Sequence, residues 1–138
     1  MKVLFDTNVI LDILLEREQF LELSSNLVSS AETGVIKGYL CATTITTIDY
    51  LVSRQYNKEK AKIAIHNLLK IFDIASVDRT VLKESVNSKF TDFEDAVQYF
   101  SGHSIPVDSI VTRNISDFKY ADYPVYSPSE LWSIVELI

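Results

Sequence analysis

One cysteine, three glycines and three prolines in 138 residues leave several protein classes without their raw material. Cys41 has no second cysteine to pair with, and no Cys or His neighbour stands at zinc spacing, so it reads as a small buried hydrophobe. No Gly-rich phosphate loop and no Gly-x-Ser-x-Gly elbow is present, which removes the usual nucleotide cradle and the usual serine nucleophile. The chain also lacks Ser/Pro-rich stretches, repeats and blocks of like charge, so one domain over residues 1–138 is expected, with neither linker nor disordered tail. No apolar run approaches the ~20 residues needed to cross a bilayer. Asp6 and Asn8 interrupt the stretch where a signal peptide needs continuous apolar residues, and the expected setting is the cytoplasm, away from membranes. Positive charge is scarce as well: 13 Lys and Arg against 19 Asp and Glu give a net charge of -6. Such a chain does not hold nucleic acid by a general positive field, and any contact with phosphate has to be local.

What is present is a sufficient core, 47% hydrophobic residues, arranged in alternating short apolar runs and helical stripes. Lys2 to Phe5 reads as a buried strand ending at Asp6, after which Thr7 or Asn8 can cap a helix. A second helix runs from about Glu18 to Gly34, a C-cap residue. Gly38 to Thr43 is the next strand, followed by a helix carrying Ile45, Ile48, Leu51 and Val52. Asn57 caps a helix from Lys58 to Phe72, Asp73 to Val77 is a short strand, and Asp78 caps a helix through Val86. Thr91-Asp-Phe-Glu94 has the form of a capping box, opening a helix whose apolar face is Phe93, Ala96, Val97 and Phe100. Ser109 to Thr112 is a strand. Ser127-Pro-Ser-Glu130 is a second capping box, starting a terminal helix through Val135. The order implies an α/β three-layer sandwich: a mainly parallel central sheet of four to five strands covered by helices.

In such sheets ligands gather outside the carboxyl ends of the strands, which draws attention to the acids there. Asp6 follows the first strand directly; as a single residue it is equally a helix N-cap. Asp92 and Asp95 fall on one flank of their helix, three residues or about 300° apart, while Glu94 points more than ~100° away. They either share a cation or complement the helix dipole in its first turn. Asp117 closes the cluster Val111-Thr-Arg-Asn-Ile-Ser-Asp-Phe, which is otherwise an ordinary polar turn. Three carboxylates at one sheet edge suit oxygen-seeking Mg²⁺ or Mn²⁺. His66 and His103 offer no competing metal set.

Three segments, Asp-Thr-Asn-Val-Ile-Leu-Asp at 6–12, Asp-Phe-Glu-Asp-Ala-Val-Gln-Tyr at 92–99 and Val-Thr-Arg-Asn-Ile-Ser-Asp-Phe at 111–118, resemble the PIN domain family in order and spacing across nearly the whole chain. Among its members the chain is similar to the stand-alone bacterial PIN proteins, including the toxin halves of VapBC-type pairs. The resemblance implies an RNA endonuclease using Mg²⁺ or Mn²⁺. Asp6, Asp95 and Asp117 are its expected metal ligands; Asp92 is expected as an added catalytic acid from its place on the same flank as Asp95, not from the family motif. Thr7, Asn8, Thr112, Arg113 and Asn114 are expected around them, touching substrate or orienting Asp6 and water; Arg113 either contacts phosphate or pairs with a nearby acid. It further implies RNA as substrate, an antitoxin protein as partner, and a homodimer, for which Leu131, Trp132, Val135 and Ile138 are interface or core.

The sequence departs from the family pattern at one place. The Glu that many PIN nucleases carry early in the helix after the second strand is Thr47 here, and Asp49 lies about 200° round the helix from it. A PIN fold that binds RNA or protein without cleaving is therefore a second reading. A phosphoacceptor or HAD-type phosphatase is a third, weakened because Asp6-Thr-Asn lacks the second acid of Asp-x-Asp.

Overall fold

A computed structural model describes all of residues 1–138. Five parallel strands form the sheet: β1 (Lys2–Phe5), β2 (Lys37–Cys41), β3 (Asp73–Ala75), β4 (Ser109–Val111) and β5 (Val125–Tyr126), in the order β3-β2-β1-β4-β5. The chain winds outward from β1 to β3 on one side, then returns to place β4 against the other side of β1. The switch point of this doubly wound sheet thus lies between β1 and β4.

Seven helices cover the sheet: α1 (Thr7–Leu14), α2 (Glu18–Glu32), α3 (Ala42–Gln55), α4 (Lys58–Ile71), α5 (Arg79–Val86), α6 (Phe93–Ser104) and α7 (Pro128–Val135). A 3-10 turn spans Ile115–Phe118. Strand alternation assigns the helices to faces. Val3, Phe5, Leu40 and Val111 point into the larger core with residues of α1, α2, α3, α4 and α7, among them Ile10, Leu27, Ile48, Leu68 and Leu131. Leu4, Tyr39 and Ile110 point the other way, toward Tyr99 of α6 and Phe118 of the 3-10 turn. Burying such side chains stabilises the fold by roughly 1.5–3 kcal/mol each relative to exposure. The larger core closes over Gly38, where an added Cβ would sit 2.6 Å from the Phe72 ring. Phe72 in turn meets Phe5 edge to face at 5.0 Å.

Most boundaries follow their sequence signals. Asn57 and Asp78 cap α4 and α5 by accepting from Lys60 and Val81 N–H groups, and the Ser127/Glu130 capping box is complete. Gly34, just beyond the end of α2, takes a φ of +84°, which Gly adopts without steric cost. Three expectations need correction. The strand expected over Gly38 to Thr43 gives way to α3 at Ala42. The capping box expected at Thr91 does not form: α6 starts one residue later, with Asp92 as N-cap accepting from the Glu94 N–H at 3.3 Å. Phe93, expected on the apolar face, is 51% exposed, and the face of α6 that is buried instead includes Gln98, Ser101 and Gly102. The fifth strand, β5, has only two residues, too few for a periodic signal.

At the carboxyl terminus Leu131 and Val135 belong to the core and Trp132 packs against it, whereas Ile138 is 70% exposed. No helix is long and apolar enough to cross a membrane.

Candidate acidic site

The register puts Phe5 opposite Val111, so the residues that follow, Asp6 and Thr112, leave adjacent strands side by side. Alternation carries both toward the face occupied by α6, the side to which Leu4 and Ile110 point. Asp6 is 3% exposed. Its backbone N–H donates to the Val111 carbonyl at 3.0 Å, tying the end of β1 to the end of β4.

The Asp6 side chain resolves one alternative left by the sequence. Asp6 occupies the N-cap position of α1, but its carboxylate makes no capping bond. It turns instead across the sheet edge, where the Thr112 hydroxyl donates to Oδ2 at 2.8 Å and the Gln98 amide donates to Oδ1 at 3.1 Å. Burial pushes the Asp6 carboxyl above its ordinary range; hydrogen bonds from Thr112, Gln98 and the Thr7 backbone oppose this, and the charge of Asp117 adds to it.

Asp95 lies in the first turn of α6, three residues before Gln98 and on the same flank. Its carboxyl is pushed up to about 7, first by partial burial, then by the charges of Asp6 and Asp92, a hydrogen-bonding contact with Asp92, and the charge of Asp117. Asp6, Asp92 and Asp117 therefore stand within electrostatic reach of Asp95, with Asp92 and Asp95 on α6, Asp117 on the 3-10 turn and Asp6 at the end of β1. Glu94, expected to face away, is also raised, by burial and then by Asp92 and Asp6. Asp92 and Asp117 are exposed, so the acids run from a buried end at Asp6 to an open rim.

Thr112 is fully buried, and its Oγ1 accepts the Asn114 N–H at 3.0 Å, folding the loop after β4 back over the site. Arg113 pairs with Asp12: its Nε stands 2.8 Å from Asp12 Oδ2, and its guanidinium lies over Phe20 at 4.1 Å. The contact is an ion pair whose N–H is not aligned for a hydrogen bond. The other oxygen of the fully buried Asp12 takes Arg17 Nη1 at 3.2 Å. Of the two roles open to Arg113 from sequence, the ion pair is the one present in this arrangement. Thr7 reaches Asp6 mainly through Gln98, to which both its backbone N–H and its hydroxyl donate, and half-buried Asn8 takes no part in the network. On α3, Thr47 donates to the Thr43 carbonyl of its own helix, while Thr44, one turn earlier and 1% exposed, joins the Gln98 network. Asp49 is exposed and lines the α3–α4 groove.

Gln98, Thr44 and Asp12 belong to this region and were given no role from sequence. Gln98 could have been found: it stands one turn after Asp95 on the same stripe, in a run otherwise apolar from Ala96 to Phe100. Asp12 carried no comparable signal, since its partners lie 5 and 101 residues away.

The donor set suits a hard dication, being all oxygen and crowded with acids whose mutual repulsion such an ion would relieve. No three of these side chains are drawn together closely enough to enclose an ion as they stand. A groove of about 860 Å³ lies elsewhere, between α3 and α4, lined by Tyr50, Arg54, Lys58, Lys62 and His66 among others. Its mixed charges and flexible side chains provide no convergent chemistry, whereas the strand ends do.

A doubly wound parallel domain with a graded cluster of acids at its switch point defines the class of protein. The chain belongs to the PIN domain family, whose model matches residues 2–116. No sequence relative is found among proteins of curated function. The fold is similar to that in VapBC2 from Rickettsia felis bound to a DNA fragment from its promoter, with a TM-score of 0.69 at 15% identity over 92% of this chain and 98% of that one. It is similar to FitAcB from Neisseria gonorrhoeae, with a TM-score of 0.68 at 23% identity over 92% and 98%. It is also similar to Mycobacterium tuberculosis VapC20, described as a sarcin-ricin loop cleaving toxin, with a TM-score of 0.64 at 12% identity over 78% and 86%.

Proposed function

We propose that the chain is a divalent-metal-dependent endoribonuclease of the cytoplasm, the toxin of a toxin-antitoxin pair. The observation that carries this reading is the gathering of Asp6, Asp92, Asp95 and Asp117 at the switch point, with Asp6 buried and Asp95 raised to about 7 by burial first and then by the other three. Asp6, Asp95 and Asp117 would hold Mg²⁺ or Mn²⁺, which when bound supplies an activated water and charge neutralisation at a phosphate. Family membership supports the nuclease reading. The cleaving activity stated for VapC20 and the VapBC and FitAB complexes among similar structures support RNA as substrate and an antitoxin as partner. We take a homodimer as the working assembly on the family resemblance alone.

The chain's own residues have separable tasks in this scheme. Asp6, fixed by Thr112 and Gln98, is the rigid ligand. Asp95 and Asp117, less buried, have the freedom to close on an ion, and Asp92 sits beside Asp95 as a proton partner. Arg113 holds Asp12 and so steadies the loop that carries Thr112 and Asn114; release from Asp12 would free it for phosphate.

The test is cleavage of varied RNAs with Mn²⁺ by wild type and by Asp6→Asn, purified in parallel to control for contaminating nuclease. Metal-dependent cleavage that falls at least about 100-fold in the variant is expected, the scale of losing a group that acts on the reacting centre. Absence of cleavage by wild type on every RNA would favour the second reading, a PIN fold that binds without cutting. That reading draws on Thr47, whose hydroxyl is spent on its own helix where many PIN nucleases carry a Glu.

A further inference from the structure

Gln98 is 1% exposed on the sheet side of α6, and its neighbours alone fix which way its amide points. The Thr7 backbone N–H, which can only donate, lies 3.2 Å from one end of the amide, so that end is the carbonyl Oε1. The Thr7 and Thr44 hydroxyls, 2.8 Å from each other, reach the same oxygen at 3.4 and 3.5 Å. Nε2 consequently faces Asp6 Oδ1 at 3.1 Å. A flipped amide would set its NH₂ against the N–H of Thr7 and its carbonyl against the carboxylate, losing both bonds at once.

The other oxygen of Asp6 is governed in the same way. The Asn114 N–H occupies a lone pair of Thr112 Oγ1 at 3.0 Å, so the Thr112 hydrogen is free to point at Asp6 Oδ2, 2.8 Å away. Each oxygen of Asp6 thus meets a donor whose direction is set by a backbone amide, one at the start of α1 and one in the loop after β4. A carboxylate offers about four acceptor sites, so Thr112, Gln98 and the Thr7 backbone together do not exhaust it. Both donors are neutral. A Lys or Arg in the place of Gln98 would hold the carboxylate equally well but cancel the charge that a cation needs. Packing alone would be served by Leu or Met, without the cost of burying an amide.

We propose that Gln98 is a positioning residue for the acidic site, locking the Asp6 carboxylate in a single orientation while leaving its charge intact. The proposal rests on the reading of Asp6 as a metal ligand. Its test is therefore split into two readouts, on Gln98→Met, which keeps length and loses the amide: the crystal structure of the variant, and Mn²⁺ affinity by calorimetry. The Asp6 carboxylate should rotate off Thr112, and Mn²⁺ should bind about 10- to 100-fold more weakly, the usual effect of removing a group that orients a ligand. An unmoved Asp6 with unchanged affinity overturns the proposal. If wild type itself binds no Mn²⁺, the metal reading fails, and the orientation of Asp6 in the variant still decides whether Gln98 positions it. Should Gln98→Met not fold, Thr44→Val takes its place, since Thr44 touches Asp6 only through Thr7 and Gln98. A several-fold loss of Mn²⁺ affinity is then expected, and none overturns the proposal.

Discussion

Removing one negative charge from the acidic cluster should stabilise the metal-free protein, and Asp95→Asn is the substitution that isolates this effect. The Asp95 carboxyl moves from 3.8 to about 7 on folding, so the folded state holds its proton more tightly than the unfolded chain does. Stability from this group is fully present below about pH 4, drains away as pH rises toward 7, and is constant above that. At about 1.4 kcal/mol per pH unit the full displacement would amount to ~4 kcal/mol. Asp95 is only half-buried, and solvent and salt screening reduce the figure to about 1–2 kcal/mol. The Asn variant, neutral at every pH and still able to donate to Asp92, avoids that loss. Thermal unfolding without metal should show it roughly 3–8 °C more stable than wild type at pH 8, with the gap closing near pH 4. Saturating Mn²⁺ should reverse the order at pH 8, since an ion at 100 times its Kd adds about 2.7 kcal/mol to a wild type that binds it and little to a variant missing a ligand. A gap of equal size at pH 4 and pH 8, or no gap at all, would refute the claim that folding raises the Asp95 carboxyl, by partial burial first and by its neighbours' charges after.

Two further substitutions probe the flanks of the site. Arg113→Met leaves the fully buried Asp12 with Arg17 as its sole cationic partner; urea unfolding should show a loss of about 2–3 kcal/mol, below the full cost of orphaning a buried acid because Arg17 remains. A loss under ~0.5 kcal/mol would mean the ion pair contributes nothing. Thr47→Glu returns a carboxylate to the position that the family pattern expects on α3; if the site lacks only that group, Mn²⁺-dependent cleavage should rise about 10-fold, and an unchanged or lower rate would exclude α3 from the site.

How far the fold was legible depended on the length scale of each signal. Asn57, Asp78 and Ser127 are local devices, with cap and capped N–H within three residues, and each works as its sequence says. Thr91 failed because the same stretch offered two caps one residue apart. Asp92 took the role, which shifted α6 by a residue and turned Phe93 outward. The parallel order was legible from alternation of strands and helices. β5 was not, since two residues pairing with β4 are specified by the sheet they join rather than by their own pattern.

The acids could be named from strand ends, but not what they do to one another. Asp6 follows β1 in the sequence; that its carboxylate leaves the helix cap and crosses to Thr112 and Gln98 is set by contacts over 106 and 92 residues. Arg113 illustrates the same limit, because Asp12 and Phe20, distant in sequence, determine which of its two roles it takes here. The consequence is a division within the cluster that no motif contains. Asp6 is buried and held at both oxygens by neutral donors, while Asp95, Asp92 and Asp117 grade outward to solvent with their charges unrelieved. Under the metal-binding role proposed above, a rigid inner acid facing adjustable outer ones would suit a site that closes on a cation and a phosphate together. It also accounts for how four acids can crowd one strand edge without a closed cage forming among them.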